Sequence, residues 1–450
     1  MVVRASAAPP ADKEEREELV DKDVEYAEEP KPSSGGGMSW QRAAATMIAE
    51  IVGTGVLGLG YAAARVGWGL ALSFLLVFGL ASLFSSMLLA SIHREHPEVE
   101  SYQAVAALVG GPRARCWTAV AVNMSWLFVC PYYLMASAHS LAVSFWWRQD
   151  VCYYQWALLS IAAVAVPAQV RSFEGISSLS AASVAAVAVA LVVMGIQFVA
   201  GGVRDGGEPA AWAPPNDMTV WLAFDSISAT TFAYQGQSML LEIAHEMENP
   251  RRDFALSIFA AGFGLIALYA GAMFLGYHYR GATVAGFLPD SLADGPAKTL
   301  VGLLLFFHVA VTYLVNNQPL SKKIYEFAYG DLKRSQPRAA RRWAAISGTL
   351  LVWSYLIANL IPWFSAFQAL MGSLLGAPIM FGFPVAFYVL DERQRQHVVG
   401  HFPTRAALAV VGGLVLPATL VVGTVAAFVG LAAEWGEGGM FQCTPGGYGR

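Results

Sequence analysis

The stretch IVGTGVLGLG, Ile51 to Gly60, decides how the rest of the chain is read. Its Gly53-x-Gly55-x-x-Gly58 spacing is that of a dinucleotide-binding fingerprint. Such a site needs a short strand before it, a helix N-terminus at the phosphates and an acidic residue about 20 positions on for the ribose. No acidic residue stands between Gly60 and Glu95, and both flanks run apolar far beyond the length of a buried strand. The context fails on both counts, so no nicotinamide or flavin cofactor is expected and the glycines need another account.

The composition supplies the setting. Of 450 residues, 56% are hydrophobic and only 13% are charged, with mean hydropathy +0.49. Soluble domains carry about 25% charged residues, so this is the composition of a membrane protein. A net charge of -4 offers no general attraction to nucleic acid. The cysteines Cys116, Cys130, Cys152 and Cys443 show neither CxxC spacing nor a dense framework, so no metal site is indicated. All four are expected as free thiols, although Cys152 and Cys443 fall on one side of the membrane and could pair.

The N-terminus lacks the apolar core of a signal peptide. It is acidic and then rich in Pro, Ser and Gly, too polar to offset its ordering entropy, so residues 1–38 are expected to form a disordered cytosolic tail. The membrane domain is expected over 39–432, with a short C-terminal tail over 433–450.

A membrane-spanning helix needs about 20 mostly apolar residues. Eleven such spans are predicted, at roughly 42–66, 68–92, 115–147, 154–171, 176–200, 219–246, 254–277, 298–321, 342–361, 363–390 and 406–432. The third is long enough to tilt or protrude, and the short gap near Pro362 leaves spans nine and ten the hardest to separate. With the N-terminus in the cytosol, the inner loops collect Arg94, Arg113, Arg115, Arg171, Arg251, Arg252, Lys322, Lys323, the run from Lys333 to Arg342, Arg393, Arg395 and Arg405. The outer segments hold only Arg65, Arg148, Arg204, Arg280, Lys298 and Arg450. That asymmetry places the C-terminus outside or lumenal. It also makes the basic run near Lys333 a topology and anionic-lipid signal rather than a nucleic-acid patch.

Inside a span, each glycine costs about 1 kcal/mol relative to alanine. Gly53, Gly55, Gly58 and Gly60 therefore either weaken the helix or let another helix approach closely. Span six tips the balance. It carries Asp225, Ser226, Ser228, Thr230, Thr231, Gln235, Gln237, Ser238 and Glu242 in one stretch, and its middle, FAYQGQS, is too polar for a lipid-facing helix. Spans one and six open two five-helix halves, about 42–200 and 219–390. Interruptions at corresponding positions of two halves point to a midplane substrate site in inverted-repeat transporters. Half-helix N–H groups would meet a carboxylate, and freed carbonyls an ammonium group or a cation.

At these residues the chain resembles the amino acid/auxin permease family, within the amino acid–polyamine–cation superfamily. The family pattern G-[ST]-G-[ILV]-L-x-[LM]-P-x-A is matched by Gly53-Thr54-Gly55-Val56-Leu57-Gly58-Leu59-Gly60-Tyr61-Ala62, with Gly60 where proline is usual. Phe232-Ala233-Tyr234-Gln235-Gly236-Gln237, then Leu241-Glu242-Ile243 and Asn249-Pro250, follow its span-six pattern, with Leu241 replacing a proline. The small-residue spacing of span ten is also similar. The resemblance implies an all-α membrane protein of about eleven helices around the LeuT-type five-plus-five inverted repeat, with helices 1 and 6 interrupted. It further implies secondary transport of amino acids, coupled to protons or sometimes sodium. Carried over by position, the amides near Gly53, Thr54, Gly55 and Val56 would meet the substrate carboxylate. Carbonyls near Phe232 and Ala233 would take its amino group, with Phe232 or Tyr234 as aromatic gate and Gln235 and Gly236 completing the break.

Polar residues inside a membrane are candidates for coupling. Glu50 shares one helical face with Thr46 and Thr54, one turn before the break. Glu242 follows the second break as proton carrier or inner gate, or as half of an interfacial pair with Arg251. Asp225 reads as structural, at the outer interface. Ser125, Tyr132 and His139 form one stripe of span three, with His139 either a proton relay or a hydrogen-bonded core residue. Span eight aligns His308, Thr312 and Asn316, and Thr312 could join a cation site with the Val52–Gly53 carbonyls. His245-Glu246-Met247-Glu248-Asn249 lacks the second histidine of a zinc helix, so no metal is expected there. His93-Arg94-Glu95-His96 reads as a headgroup contact, and the Asn123 sequon is buried in a span.

No complete catalytic constellation is present, so an enzyme is not expected. The alternatives to an amino acid symporter are a carrier of auxin, a polyamine or another small solute, and a membrane sensor that binds amino acids without net flux. Nothing in the sequence distinguishes the plasma membrane from vacuolar or other endomembranes, and it gives no oligomeric state.

Overall fold

The computed structural model describes residues 38–170, 174–203, 210–330, 337–361, 363–396, 400–437, 441 and 443. The anticipated tail over 1–38 lies outside them except for Met38, as do most of the C-terminal tail, Pro362 and the basic residues Arg171, Arg204, Lys333, Arg334 and Arg450. The described residues are almost wholly helical, and their one isolated bridge joins Met38 to Met247.

The chain runs α1 (Trp40–Ile51), a 3-10 turn (Thr54–Gly58), α2 (Leu59–Glu95), α3 (Tyr102–Ser144), α4 (Tyr153–Ala165), α5 (Glu174–Gly201), α6 (Val220–Ala233) and α7 (Leu240–His245). It continues through α8 (Pro250–Arg280), α9 (Pro296–Tyr329), α10 (Pro337–Leu360), α11 (Phe364–Leu370), α12 (Phe383–Gln394), α13 (Phe402–Val410) and α14 (Thr424–Glu437). Among the described residues eight helical segments are long and apolar enough to cross a membrane. The remaining spans of the eleven are the two interrupted ones and α4, which at 13 residues is shorter than expected because the chain passes into a 3-10 turn at Pro167.

Local chemistry explains the boundaries. Spans one and two meet inside α2 at Gly67, whose φ of 76° favours glycine. A side chain there would also strike the Ala213 carbonyl of the loop that caps the turn. Gly111, with φ 66°, and Pro112 divide α3 into a short leading helix that was not anticipated and the third span proper, which is as long as expected. Spans nine and ten are distinct, with α10 ending at Leu360 and α11 beginning at Phe364. Span ten widens into π-helical turns at Met371–Gly376 and Pro378–Gly382 on its way to α12. Proline has no N–H to donate to the carbonyl four residues back, and a wider turn accommodates that gap.

Packing sorts the helices into two groups. Helices α1, α2, α6 and α8 pack on one another, as do α3, α4, α9 and α10. Helix α11 lies between them, touching α6, α14, the Thr54–Gly58 turn and α3. The two interrupted spans both belong to the first group. Having both interrupted spans in one group is the arrangement expected of the five-plus-five inverted repeat.

One expectation for the cysteines is revised: Cys152, at the start of α4, is disulfide-bonded to Cys443, with Cα atoms 4.8 Å apart. The chain brings together ends that are 291 residues apart, a pairing no local spacing could report. Cys116 and Cys130 are free.

Candidate functional site

The first break falls at Val52–Gly53. Helix α1 ends there, Gly53 is extended (φ -101°, ψ -152°), and the next helical turn starts at Thr54. No side chain caps that turn. The N–H groups of Thr54, Gly55 and Val56 occupy the first turn, where helical geometry supplies no backbone acceptor. The second break covers Tyr234, Gln235 and Gly236 between α6 and the turn leading into α7.

The two breaks cross at close quarters. A Cβ on Gly55 would lie 2.9 Å from Ala233 Cα and 3.3 Å from a Phe232 ring carbon, and a Cβ on Gly236 would collide with Ile51. Gly58 and Gly60 serve packing too: the first leaves room for the Gln368 amide, and the second approaches Gly276 Cα. Of the four glycines, then, Gly53 lies in the break and the other three make room for neighbours. Tyr269 of α8 donates to the Ala233 carbonyl at 2.6 Å, with the Ile51 carbonyl 3.3 Å from the same hydroxyl. The Phe232 carbonyl accepts from Gln235 N–H at 3.1 Å. The Ala233 carbonyl, with Tyr269 as its hydrogen-bond donor, has a second lone pair for a ligand.

The remaining candidates divide between the cavity and the scaffold. The Thr54 hydroxyl is buried and makes no hydrogen bond of good geometry, although Tyr132 stands beside it. Gln235 donates to Ser125 at 3.1 Å while its carbonyl oxygen is left without a partner. Phe232 packs against Tyr132, ring centroids 4.9 Å apart. Tyr234 turns away from the breaks: its hydroxyl donates to the Leu75 carbonyl, and its ring rests on Tyr269. The span-three stripe faces inward as anticipated, and His139 lies in an aromatic cage of Tyr153, Phe287 and Phe364.

Access to the breaks is one-sided. At the end opposite α1, Tyr132, Phe232, Phe287, Phe364 and Phe367 are all buried. There Arg65 and Asp225 form a 3.0 Å ion pair between α2 and α6. At the α1 end, Glu50 and Glu242 are exposed, and Gly53, Tyr133, Gln235, Gly236, Thr312 and Asn316 are partly so. Glu242 of α7 lies within electrostatic reach of Lys323 on α9 and Glu50 on α1, and Glu50 within reach of Tyr133 on α3. Side chains from four helices thus come near one another at this end, and several of them are exposed. Lys323 shares a helix face with Thr312 and Asn316, whose side chains also bond back to the carbonyls of His308 and Thr312.

Several readings change here. Lys323, not Arg251, is the cation that Glu242 senses. Helix α9 packs chiefly on α3 and α5. His245 pairs with Glu100 at 3.0 Å. His96, expected at headgroups, binds Asp391 of α12 at 2.9 Å, and Arg395 binds Glu95 at 2.7 Å. Sequence reasoning missed Tyr269, Gln368 and the Arg65–Asp225 pair. Only the placement of Gln368 and Tyr269 inside apolar spans could have flagged them.

Known proteins share both sequence and fold with this chain. Residues 36–428 match the family described as transmembrane amino acid transporter protein. Amino acid transporter AVT3A of Arabidopsis thaliana is 27% identical over 372 residues, spanning 77% of this chain and 80% of that protein. The N amino acid transport system protein of Neurospora crassa is 23% identical over 431 residues, 91% of this chain and 88% of its own. Among solved structures, MhsT in complex with L-phenylalanine superposes with TM-score 0.57 at 12% identity, over 88% of this chain and 100% of that one, a likeness of fold. On the match that covers most of its length, this multi-pass membrane protein belongs to the transmembrane amino acid transporter family.

Proposed function

We propose that this protein is a secondary active transporter that moves amino acids by alternating access in symport with protons. The observation that carries the reading is the crossing of two interrupted helices at Gly55 and Ala233, with the uncapped Thr54–Val56 amides near the Ala233 carbonyl, which keeps a free lone pair. Amides at a helix N-terminus suit the α-carboxylate, and the Phe232 and Ala233 carbonyls suit the α-ammonium group. Together they recognise the part common to all amino acids.

One-sided access supports alternating exposure. The Arg65–Asp225 pair and the aromatic cluster around Tyr132 shut one end, while the Glu50–Glu242 end is wet. Exposed carboxylates beside the half-helices are suitable proton carriers, which favours Glu50 and Glu242 over the caged His139.

The basic inner loops favour a cytosolic N-terminus and an outside or lumenal C-terminus. The Cys152–Cys443 bond lies at the end that carries the C-terminus, and disulfides persist in oxidising, non-cytosolic compartments.

The deciding experiment is uptake of a labelled amino-acid mixture into proteoliposomes with and without an inward proton gradient. Gradient-driven accumulation that is lost in Gly55→Leu is expected. Exchange without accumulation would remove the proton, and absence of flux from folded protein that still binds amino acids would make it a sensor.

A further inference from the structure

We propose that Gln368 is the positioning residue that holds the two interrupted helices at the spacing substrate binding requires and ties them to α3 beside them. The inference rests on the proposed location of the substrate site at the breaks.

Gln368 sits on α11, between the two helix groups, and is fully buried. Its one amide nitrogen donates to the Gly55 carbonyl at 3.0 Å and to the Ala229 carbonyl at 3.1 Å. Those oxygens belong to the turn after the first break and to the helix before the second. Both N–H groups of the side chain are thereby spent on the crossing helices. Its oxygen accepts from the Tyr132 hydroxyl at 3.3 Å, and the Tyr132 ring packs on Phe232 and Phe364 over the breaks. A single planar group therefore links the first-group helices to α3 of the second group.

Two further features indicate spacing rather than backbone satisfaction. Gly55 and Ala229 both lie inside helical turns, so their carbonyls have intrahelical partners without Gln368. In addition, Gly58 is glycine where a Cβ would collide with the Gln368 oxygen, so the turn is shaped around this amide. Methionine would fill the same space with no donor. Glutamate would keep the shape and aim acceptor oxygens at two carbonyls.

The test uses full-length protein and two readouts. In detergent, backbone amide exchange is followed over residues 55–62 and 226–233, with 300–325 as internal reference. Gln368→Met is expected to speed exchange in both segments together by about tenfold, about 1.4 kcal/mol, and Gln368→Glu by more. In proteoliposomes, the half-saturating concentration of an equimolar labelled L-amino-acid mixture should rise by about tenfold, with the maximal rate per folded carrier little changed. Unchanged exchange, acceleration of one segment alone, or a loss of thermal stability with an unchanged half-saturating concentration would overturn the proposal.

Should those variants fail to fold, Gly58→Ala and Tyr132→Phe disturb the same amide from its neighbours. Faster exchange of both segments is expected in each, and no change in either would equally overturn the tether. The two ideas fail separately. A wild-type protein that carries none of the mixture refutes the transport reading while the exchange result still decides Gln368, and normal uptake with unaltered exchange refutes only Gln368.

Discussion

The Tyr269 hydroxyl lies 2.6 Å from the Ala233 carbonyl oxygen and 3.3 Å from the Ile51 carbonyl oxygen, so one side chain of α8 touches the last turn of both half-helices. Tyr269→Phe keeps the ring against Tyr234 and removes only that contact. We expect a stability loss of about 1 kcal/mol, the usual net worth of one such bond, and a fall in uptake of about fivefold. Thermal unfolding and proteoliposome flux check both. A variant equal to wild type in the two assays would show the bridge to be idle.

One-sided access gives a labelling pattern. In a Cys116→Ser, Cys130→Ser background, Asn316→Cys and Glu242→Cys should react with a membrane-impermeant maleimide applied from the side of the N-terminus. Phe364→Cys should not react from either side. Because Arg65 and Asp225 shut the opposite end, Asp225→Ala leaves a guanidinium without its partner, a change that costs about 3–5 kcal/mol for a fully buried pair and less at the partial exposure of Arg65. That variant should make Phe364→Cys reactive from the far side. Persistent protection of Phe364→Cys in the Asp225→Ala protein would deny the pair a gating role.

A pH effect is expected at the α2–α12 junction. The hydrogen bond to Asp391 holds the His96 imidazole above its ordinary range, against the lowering effect of burial. The groups facing it are Asp391 from α12, Arg395 just past the end of that helix, and Glu98 from its own loop. A raised folded-state value means the stabilisation is fully present below about pH 6.5 and lost as pH rises through the folded value. Partial exposure keeps it under about 1 kcal/mol. Melting temperature should therefore decline from about pH 6 to pH 8.5, and more steeply in wild type than in His96→Gln. Parallel slopes would exclude His96 as the source.

The cysteine pairing is checked by counting thiols. Denatured but unreduced protein should show only Cys116 and Cys130, and all four cysteines after reduction. Cys443→Ser should expose Cys152 to titration without abolishing insertion, since α4 is held by α3 and α10 as well.

Much of this was legible from the chain itself because the membrane imposes local rules. Backbone groups in lipid must be satisfied within the segment, so spans announce themselves by length and apolarity, and their ends by residues such as Gly67, Gly111 and Pro112. The same rule exposes the breaks: Gly53 and the FAYQGQS segment are tolerable only where a neighbour or a ligand meets the freed groups. The inward stripe of Ser125, Tyr132 and His139 followed from helical spacing alone. The short helix that begins at Tyr102 went unread because hydropathy marks only segments long enough to cross the membrane.

What tertiary structure decided is everything that depends on which helix faces which. Gly55, Gly58 and Gly60 resemble one another in sequence, yet only packing reveals that Ala233, Gln368 and Gly276 are what each accommodates. Arg65 finds Asp225 across 160 residues, Gln368 reaches Gly55 across 313, and Cys152 meets Cys443 across 291. Periodicity constrains a residue's own helix, because hydrogen bonding and solvent act on each turn in place. Partners between helices are chosen by the fit of whole surfaces, and no single segment carries that information.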